Sequence, residues 1–408
     1  MHEHPHTRPH THPHAPHPPE RHHHAPPTRR DFFAQVLGGA IASVSILELA
    51  FNRAAWARAL APTVAGPQLF DIEKVTGGVY LAVARVRRMI NSSSAIFVGS
   101  RDVLVVDSQA QPSVTAALIN QIKKEVTKKP VRYVVNTHFH DDHIQGNSAY
   151  RTRGGKVDFI ASGPTAELMA QEGKARLQAT LEKSVPDQLD KANDLASKAA
   201  SAEERAFWED QVRQMLAFQA EMKSFSLELP TVTVAQSYVI KDREHDLHIE
   251  FHGRAHTAGD VVVYCPQKRV VAAGDMILGT LPYMPDGYPR AWPRTIDSVG
   301  RLEFDKVLPA HGPLLSRGRM VNQRDFMDEA NARVAEAKKA GLSLEETRNV
   351  VTVESLKSLQ ADGYGKFMWE VRDGLFPHWG RTFLGQNPEP QGALNGMLGH
   401  IYRKLDKE

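Results

Sequence analysis

The sequence predicts an α/β fold in which two β-sheets pack face to face with helices on their outer surfaces. Three observations carry that expectation. Short β-rich runs form two groups, on either side of a charged, Ala-rich segment at 165–225, and each group has helical neighbours. Several of these runs end in a histidine or an aspartate, the position at which α/β folds place their sites. The composition is that of an ordinary globular core, with 41% apolar and 24% charged residues. A length of 408 residues fits two or three domains, or one large α/β core.

The chain opens on different material. Ten of its 20 histidines fall in the first 24 residues, and MHEHPHTRPHTHPHAPHPPERHHHAPP (1–27) has no aliphatic side chain larger than alanine beyond Met1. Such a segment has nothing with which to bury a core, and its prolines favour extended, solvated backbone. It is either a metal-scavenging tail or a neutral leader, an expression tag or a misplaced start. Residues 28–61 carry Arg29-Arg30, then Phe32-Phe33, then a Gly/Ala-rich apolar stretch. They resemble a twin-arginine export signal, with an A-x-A cleavage site after Ala59. The apolar part is short and contains Glu48, which makes a poor transmembrane span. The expectation is export to the periplasm by the twin-arginine translocation machinery, with the His-rich tail lost on cleavage. The alternative is an amphipathic helix that happens to follow two arginines.

From about residue 68 the pattern turns to strands. GVYLAVARV (78–86), SAIFVG (94–99) and VLVVD (103–107) are β-rich runs bounded by turn-like stretches. Val114, Ala117, Leu118 and Ile122 recur at helical spacing, so 113–128 is expected to be a helix packed on that sheet. Strands at 131–136 and 157–162 complete the first group. Within 165–225, Trp208, Val212, Met215, Met222 and Phe225 share one helical face, which predicts an inserted helical hairpin interrupted near Pro186. It reads as a packed decoration, with a lid or a dimer surface as the sharper alternative. Strand signals resume at 232–240, 247–253, 261–265 and 269–273. A core of 68–322 is then followed by a helical extension, 323–408.

Charge and cysteine content exclude several classes. Fifty basic against 47 acidic residues give a formal net charge of +3, so there is no electrostatic case for a nucleic-acid partner. Cys265 is the only cysteine, so no intramolecular disulfide can form. It lies within a strand, beside Pro266, and reads as a buried thiol.

The chemistry is concentrated in HFHDDH (138–143), directly after the apolar run VRYVVNT. In His138-x-His140 alternate side chains point the same way, so two imidazoles can converge on one ion. Asp142 and His143 follow on the turn and suit a second ion nearby. A zinc site needs three or four N, O or S ligands, and a catalytic one keeps a position open. Further candidates stand just past later apolar runs: His256 in GRAHTAGD, Asp275 in VVAAGDMI and His311 in VLPAHGP.

Taken together, His138-x-His140-x-Asp142-His143, His256-Thr257-x-Gly259-Asp260, Gly274-Asp275 and Pro309-Ala310-His311-Gly312 closely resemble the metallo-β-lactamase superfamily over roughly residues 68–320. The resemblance implies a four-layer αββα sandwich and a binuclear zinc centre at the sheet edges. By motif, His138, His140 and His256 would bind one ion, Asp142, His143 and His311 the other, and Asp275 would bridge them. Iron or manganese could occupy the same ligands. The implied chemistry is hydrolysis of a lactam, lactone or thioester carbonyl by a metal-bridged hydroxide. Asp142 would orient the nucleophile and move its proton, with Thr257 and Asp260 supporting the histidines.

Departures from the family pattern bear on the substrate. The best-known zinc β-lactamases have cysteine in place of Asp275 and a lysine three residues later, where this chain has Leu278. Glyoxalase II enzymes and lactonases usually have histidine at the position of Asp260, and Gln145 replaces a common glycine. The loop GTLPYMPDGYPRAWPRT (279–295) offers Tyr283, Tyr288, Arg290 and Trp292 as a wall for a small-molecule substrate, or as rings that merely pack the loop down. Arg87-Arg88-Met89-Ile90 is a second candidate flap. A zinc β-lactamase proper and a periplasmic metal-binding or trafficking protein are the competing functions.

Overall fold

The computed structural model of the protein describes residues 68–85, 92–375 and 389–408. The His-rich leader (1–27), the export-signal segment (28–61) and the flap at 87–90 lie outside the described residues.

The first sheet has seven strands in chain order: β1 (Phe70–Thr76), β2 (Val79–Ala84), β3 (Ser94–Val98), β4 (Val103–Val106), β5 (Val131–Val135), β6 (Asp158–Ser162) and β7 (Val232–Val234). β1 to β4 pair antiparallel, and β4 to β7 pair parallel. Parallel neighbours need crossovers. Helix α1 (Pro112–Glu125) supplies the first, burying Val114, Leu118 and Ile122 as their spacing predicts. Two short helices, α2 (Asp141–Ile144) and α3 (Asn147–Gly154), lie between β5 and β6.

The second sheet has the order β13-β12-β11-β10-β9-β8. Its strands are β8 (Ser237–Ile240), β9 (Leu247–Phe251), β10 (Val261–Cys265), β11 (Val270–Gly274), β12 (Lys306–Pro309) and β13 (Leu315–Ser316). The run 232–240, expected as one strand, is divided between the sheets. Val232–Val234 pairs with β6 and Ser237–Ile240 with β9. Alternation specifies which face each residue takes, but not which neighbour supplies the hydrogen bonds.

Strand alternation sorts the core into layers. Val79, Leu81 and Val83 of β2 share one cluster with Val261, Val263 and Cys265 of β10, the interface between the two sheets. The opposite face of β2, Ala82 and Ala84, meets α1 through Leu118 and Ile122. Val262 and Tyr264 face the other way, towards the C-terminal helices. The result is the expected αββα sandwich. Cys265 is fully buried within it, and burial pushes its thiol up to about 11.

The insertion contains more helix than a simple hairpin. Helix α4 (Gly163–Ala179) runs through a π-helical turn (Thr180–Ser184) into α5 (Val185–Ser197), and α6 (Ala202–Met222) folds back against it. The widened turn sits just before Pro186, where the missing N–H breaks the regular ladder. Trp208, Met215, Phe218 and Met222 pack with Val185 and Ala192 into a core separate from the sheets.

After α7 (Ala291–Val299) the C-terminal helices are α8 (Arg317–Lys339), α9 (Leu344–Val350), α10 (Lys357–Gln360), α11 (Tyr364–Leu375) and α12 (Pro390–Lys404). Helix α8 starts six residues earlier than expected because Ser316 caps it, accepting from the Arg319 N–H. Its Phe326, Met327 and Ala330 join Leu394, Leu398 and Ile401 of α12 in one cluster with Val271 and Val307 of the second sheet. The extension is therefore the outer layer on that sheet. Among the described residues no helix is long and apolar enough to cross a membrane.

Candidate metal centre

All seven sequence-predicted donors meet at one edge of the sandwich. His138 and His140 follow β5, Asp142 and His143 open α2, His256 lies between β9 and β10, Asp275 follows β11 and His311 follows β12. Three overlapping groups could each hold a cation, with donor atoms within 4.8 Å of one another: His138–His140–His256, His138–His143–Asp275 and Asp142–His143–His311. Asp275 links them. Its Oδ2 lies 3.5 Å from His256 Nε2, while Oδ1 lies 3.6 Å from His143 Nε2 and 3.3 Å from His311 Nε2.

The two imidazoles at the centre each have Nδ1 anchored by a neighbouring oxygen. His138 Nδ1 is 3.0 Å from Thr137 Oγ1, and His143 Nδ1 is 2.9 Å from Asp107 Oδ2. His138 Nε2 is buried without a hydrogen bond, while His143 Nε2 faces Asp142 Oδ2 at 3.3 Å and Asp275 Oδ1 at 3.6 Å. Buried polar atoms normally have partners. Converging imidazole nitrogens and a carboxylate oxygen are the donor types a zinc ion takes, so the residues fit such an ion.

The backbone is built to bring these strand ends together. Gly274 has φ +55°, and a Cβ there would fall 2.4 Å from Thr137 Oγ1. A side chain at 274 would push Asp275 away from His138. The carbonyl of His143 accepts from Ser108 N–H (3.0 Å), Ser108 Oγ (3.1 Å) and Asn136 Nδ2 (2.7 Å), which fixes the C-terminal end of α2. Asp260 accepts the Thr257 N–H at 2.7 Å, closing the loop behind His256. Burial pushes the Asp260 carboxyl up to about 6.

Electrostatics divide the site. Burial and the neighbouring imidazoles hold His138 well below the ordinary histidine range. Burial also takes His256 down to about 3, with the Asp275 charge opposing. On the other side, burial opposes charge, but carboxylates win. The charges of Asp142, Asp107 and Asp275 hold His143 well above its usual value, and Asp275 and Asp142 bring His311 to about 10. Burial alone would raise Asp142 and Asp275, yet these imidazoles keep both carboxyls well below the usual carboxylate range.

Two residues join the site that the sequence reading left out. Asp107, at the end of β4, has φ +64° and accepts from Thr137 N–H at 2.8 Å as well as facing His143. A polar residue closing an apolar run is the signal that singled out Asp275, and it was present in VLVVD. Asp286 lies 2.8 Å from His140 Nε2 and 3.0 Å from the Arg176 guanidinium of α4. The His140 hydrogen bond, outweighing burial, holds Asp286 well below the usual carboxylate range. Nothing local distinguished Asp286 from a turn residue in MPDGY.

The four candidate substrate residues separate. Tyr283 is 47% exposed and stands 6.2 Å from His140 and 6.1 Å from His256 between ring centroids. Tyr288 is half-buried beneath the Arg254 guanidinium, and the Arg290 side chain is exposed. Trp292 is corrected: it is fully buried, donates Nε1–H to the Met276 carbonyl at 2.8 Å and packs 5.4 Å behind His256. An indole in that place supports the ligand loop and has no face for a substrate. Leu278 is buried as well, its N–H donating to Gln323.

Comparison with known proteins adds the family. The pattern of the "Metallo-beta-lactamase superfamily" matches residues 88–311, more than half of the chain. A "Metallo-beta-lactamase type 2" of Bacillus cereus is 22% identical over 244 residues, covering 58% of this chain and 73% of the relative. A "Linear primary-alkylsulfatase" of Pseudomonas sp. (strain ATCC 19151) is 22% identical over 242 residues, covering 54% of this chain and 41% of that one. Among solved structures, a metallo-beta-lactamase from Pontibacter korlensis aligns at 20% identity and TM-score 0.47, covering 64% of this chain and 99% of its own.

Proposed function

The chain belongs to the metallo-beta-lactamase superfamily, and from that premise we propose that it is a binuclear zinc-dependent hydrolase of a lactam, lactone or thioester. The observation that carries the reading is the pair of adjoining donor groups, in which His138 Nε2 is buried without a hydrogen bond and the Nε2 atoms of His143, His256 and His311 converge on the two oxygens of Asp275 at 3.3–3.6 Å. His138, His140 and His256 would hold one ion, and Asp142, His143 and His311 the other. Asp275, with its two oxygens facing different histidines, would join them. When bound, a zinc pair supplies Lewis acidity to a carbonyl and brings the deprotonation of water near neutral pH. Iron or manganese would suit the same nitrogen and oxygen donors.

The chain's own groups do the rest. Asp142 Oδ2, 3.2 Å from His311 Nε2, is the carboxylate to take the proton of the attacking water and return it to the leaving group. Thr257 and Asp260 hold the His256 loop, while Tyr283 offers an exposed ring beside the donors and Arg290 an exposed cation further along the loop. The substrate is a small molecule. We also propose twin-arginine export to the periplasm on the strength of Arg29-Arg30 and the stretch after them. Replacing both arginines by lysine should strand the protein in the cytoplasm on fractionation, and unchanged export would remove that proposal.

Turnover decides the rest. Zinc-loaded protein starting at Leu60 should hydrolyse at least one of a chromogenic cephalosporin, a lactone and a thioester, with Asp142→Asn reducing the rate by about 10²–10⁴-fold. An alkyl sulfate joins the panel because one relative is named an alkylsulfatase. Cleavage of the cephalosporin would make it a β-lactamase proper, although Leu278 stands where a lysine would grip the drug. No turnover together with rapid zinc exchange would favour a metal-binding or trafficking protein instead.

A further inference from the structure

Elements outside the β-core converge on the loop that carries Asp286. Lys404, in the last turn of α12, donates from Nζ to the carbonyl of Pro285 and to that of Gly287 (3.0 Å), the residues on either side of Asp286. Farther along, Asn331 of α8 donates to the Pro289 carbonyl at 2.6 Å. The Glu408 carboxylate accepts the N–H groups of Arg290 and Ala291 at 3.1 and 3.3 Å. The Pro285 carbonyl lies in the peptide before Asp286 and the Gly287 carbonyl in the one after Gly287, while the peptide between them is held by Gly287 N–H donating to the Met284 carbonyl at 3.0 Å. Peptide units are planar, so fixing these three restricts the backbone dihedrals of Asp286 and Gly287 and the direction of the Asp286 side chain. The Asp286 carboxylate meets His140 Nε2 at 2.8 Å. That contact leaves His140 Nδ1 turned towards His256 Nε2, 3.0 Å away.

The cations around Asp286 do not form a receptor for a substrate anion. The Arg176 guanidinium already meets Glu172 and Asp286, each at 3.0 Å, two carboxylates for one cation. The half-buried Lys404 ammonium is engaged by two carbonyls. Both are arranged to hold Asp286.

We propose that Lys404 is a positioning residue of the metal centre: by clamping the carbonyls of Pro285 and Gly287 it fixes the turn that carries Asp286 and aims that carboxylate at His140. The C-terminal helix thereby sets how tightly the His138–His140–His256 group holds its ion. A carboxylate on the far nitrogen of a ligating imidazole fixes the tautomer and ring orientation, and its loss costs 10–100-fold in metal affinity in other sites. The inference rests on the zinc reading above.

The test is zinc titration of the full chain against a chromophoric chelator, with thermal melting of the metal-free protein measured in parallel. Lys404→Met keeps the buried stem and removes the donors. It should weaken one of two zinc ions about tenfold while the metal-free protein melts as wild type. Lys404→Arg should restore affinity, and Asp286→Asn should weaken the same ion. Wild-type zinc affinity in Lys404→Met, whether or not its melting temperature falls, overturns the positioning role while Asp286→Asn still reports on the zinc reading. If the wild-type chain binds no zinc, the zinc reading falls and this inference with it.

Discussion

The two sides of the candidate centre are built on opposite electrostatic principles. The side formed by His138, His140 and His256 consists of imidazoles, and burial keeps His138 and His256 neutral. The side formed by Asp142, His143, His311 and Asp275 is a nest of buried ion pairs, with protonated imidazoles between ionised carboxylates. A cation therefore meets neutral imidazoles at His138 and His256 and must displace protons from His143 and His311 on the other side. What divides them is the position of the carboxylates. Asp107, Asp142 and Asp275 all face His143, whereas His138 has Thr137 on Nδ1 and neighbouring imidazoles around it.

The most damaging way to break that comparison is at the residue both sides share. His138 belongs to the imidazole group and also to the group with His143 and Asp275. His138→Ala should reduce zinc to one ion or fewer per chain. Since a catalytic metal supplies several kcal/mol of transition-state stabilisation, hydrolysis should fall about 1,000-fold. Metal analysis alongside initial rates checks both, and two retained ions would refute the shared role. Asp107→Asn comes next. Asp107 faces His143 directly and His138 only through Thr137, so the mixed side should lose 10–100-fold in zinc affinity and the imidazole side less. Equal weakening of both ions would contradict the asymmetry.

The pH dependence sharpens it. With the folded value of His311 raised to about 10, zinc binding at neutral pH must release its proton and that of His143. Affinity on the mixed side should rise about tenfold per pH unit for each proton displaced, while the contributions of His138 and His256 stay flat. Calorimetry at pH 6.5 and 8 in two buffers of different ionisation enthalpy counts these protons. The sign reverses for stability of the metal-free protein. A raised folded value means the His311 contribution is complete below about 6.5 and is lost as pH rises towards 10, so melting temperature should fall over that window.

The smallest effect on metal is expected from the insertion. Trp208→Ala opens the separate core of α5 and α6 and should cost about 3 kcal/mol of local stability. Zinc affinity should change by less than about twofold, as expected for distant sites. Hydrogen exchange of α6 and a zinc titration measure the two, and a large loss of zinc would tie the insertion to the site more closely than Arg176 alone does.

Much of this is legible in the chain alone. Short β-rich runs bounded by turn-like stretches, with polar residues just past their ends, locate β2 to β6 and the donor-bearing loops, because a strand buried on both faces leaves its polar residues only at its ends. All seven donors were read from four short motifs, each encoded by contiguous residues. Asp107 carries the same local signal, but only its contact with His143 distinguishes it from an ordinary strand end.

What the sequence by itself determined is therefore the chemistry: the donor set, the strand ends that present it, and a fold of two sheets with helices outside. The tertiary structure alone decided which residues support those donors. Val232–Val234 and Ser237–Ile240 took different sheets, Trp292 turned into the core, and Arg176, Asp286 and Lys404, separated by 110 and 118 positions, came together beside His140. Motifs are local, so a linear chain displays them. Contacts between distant segments depend on how whole layers pack, and no short stretch of sequence encodes that.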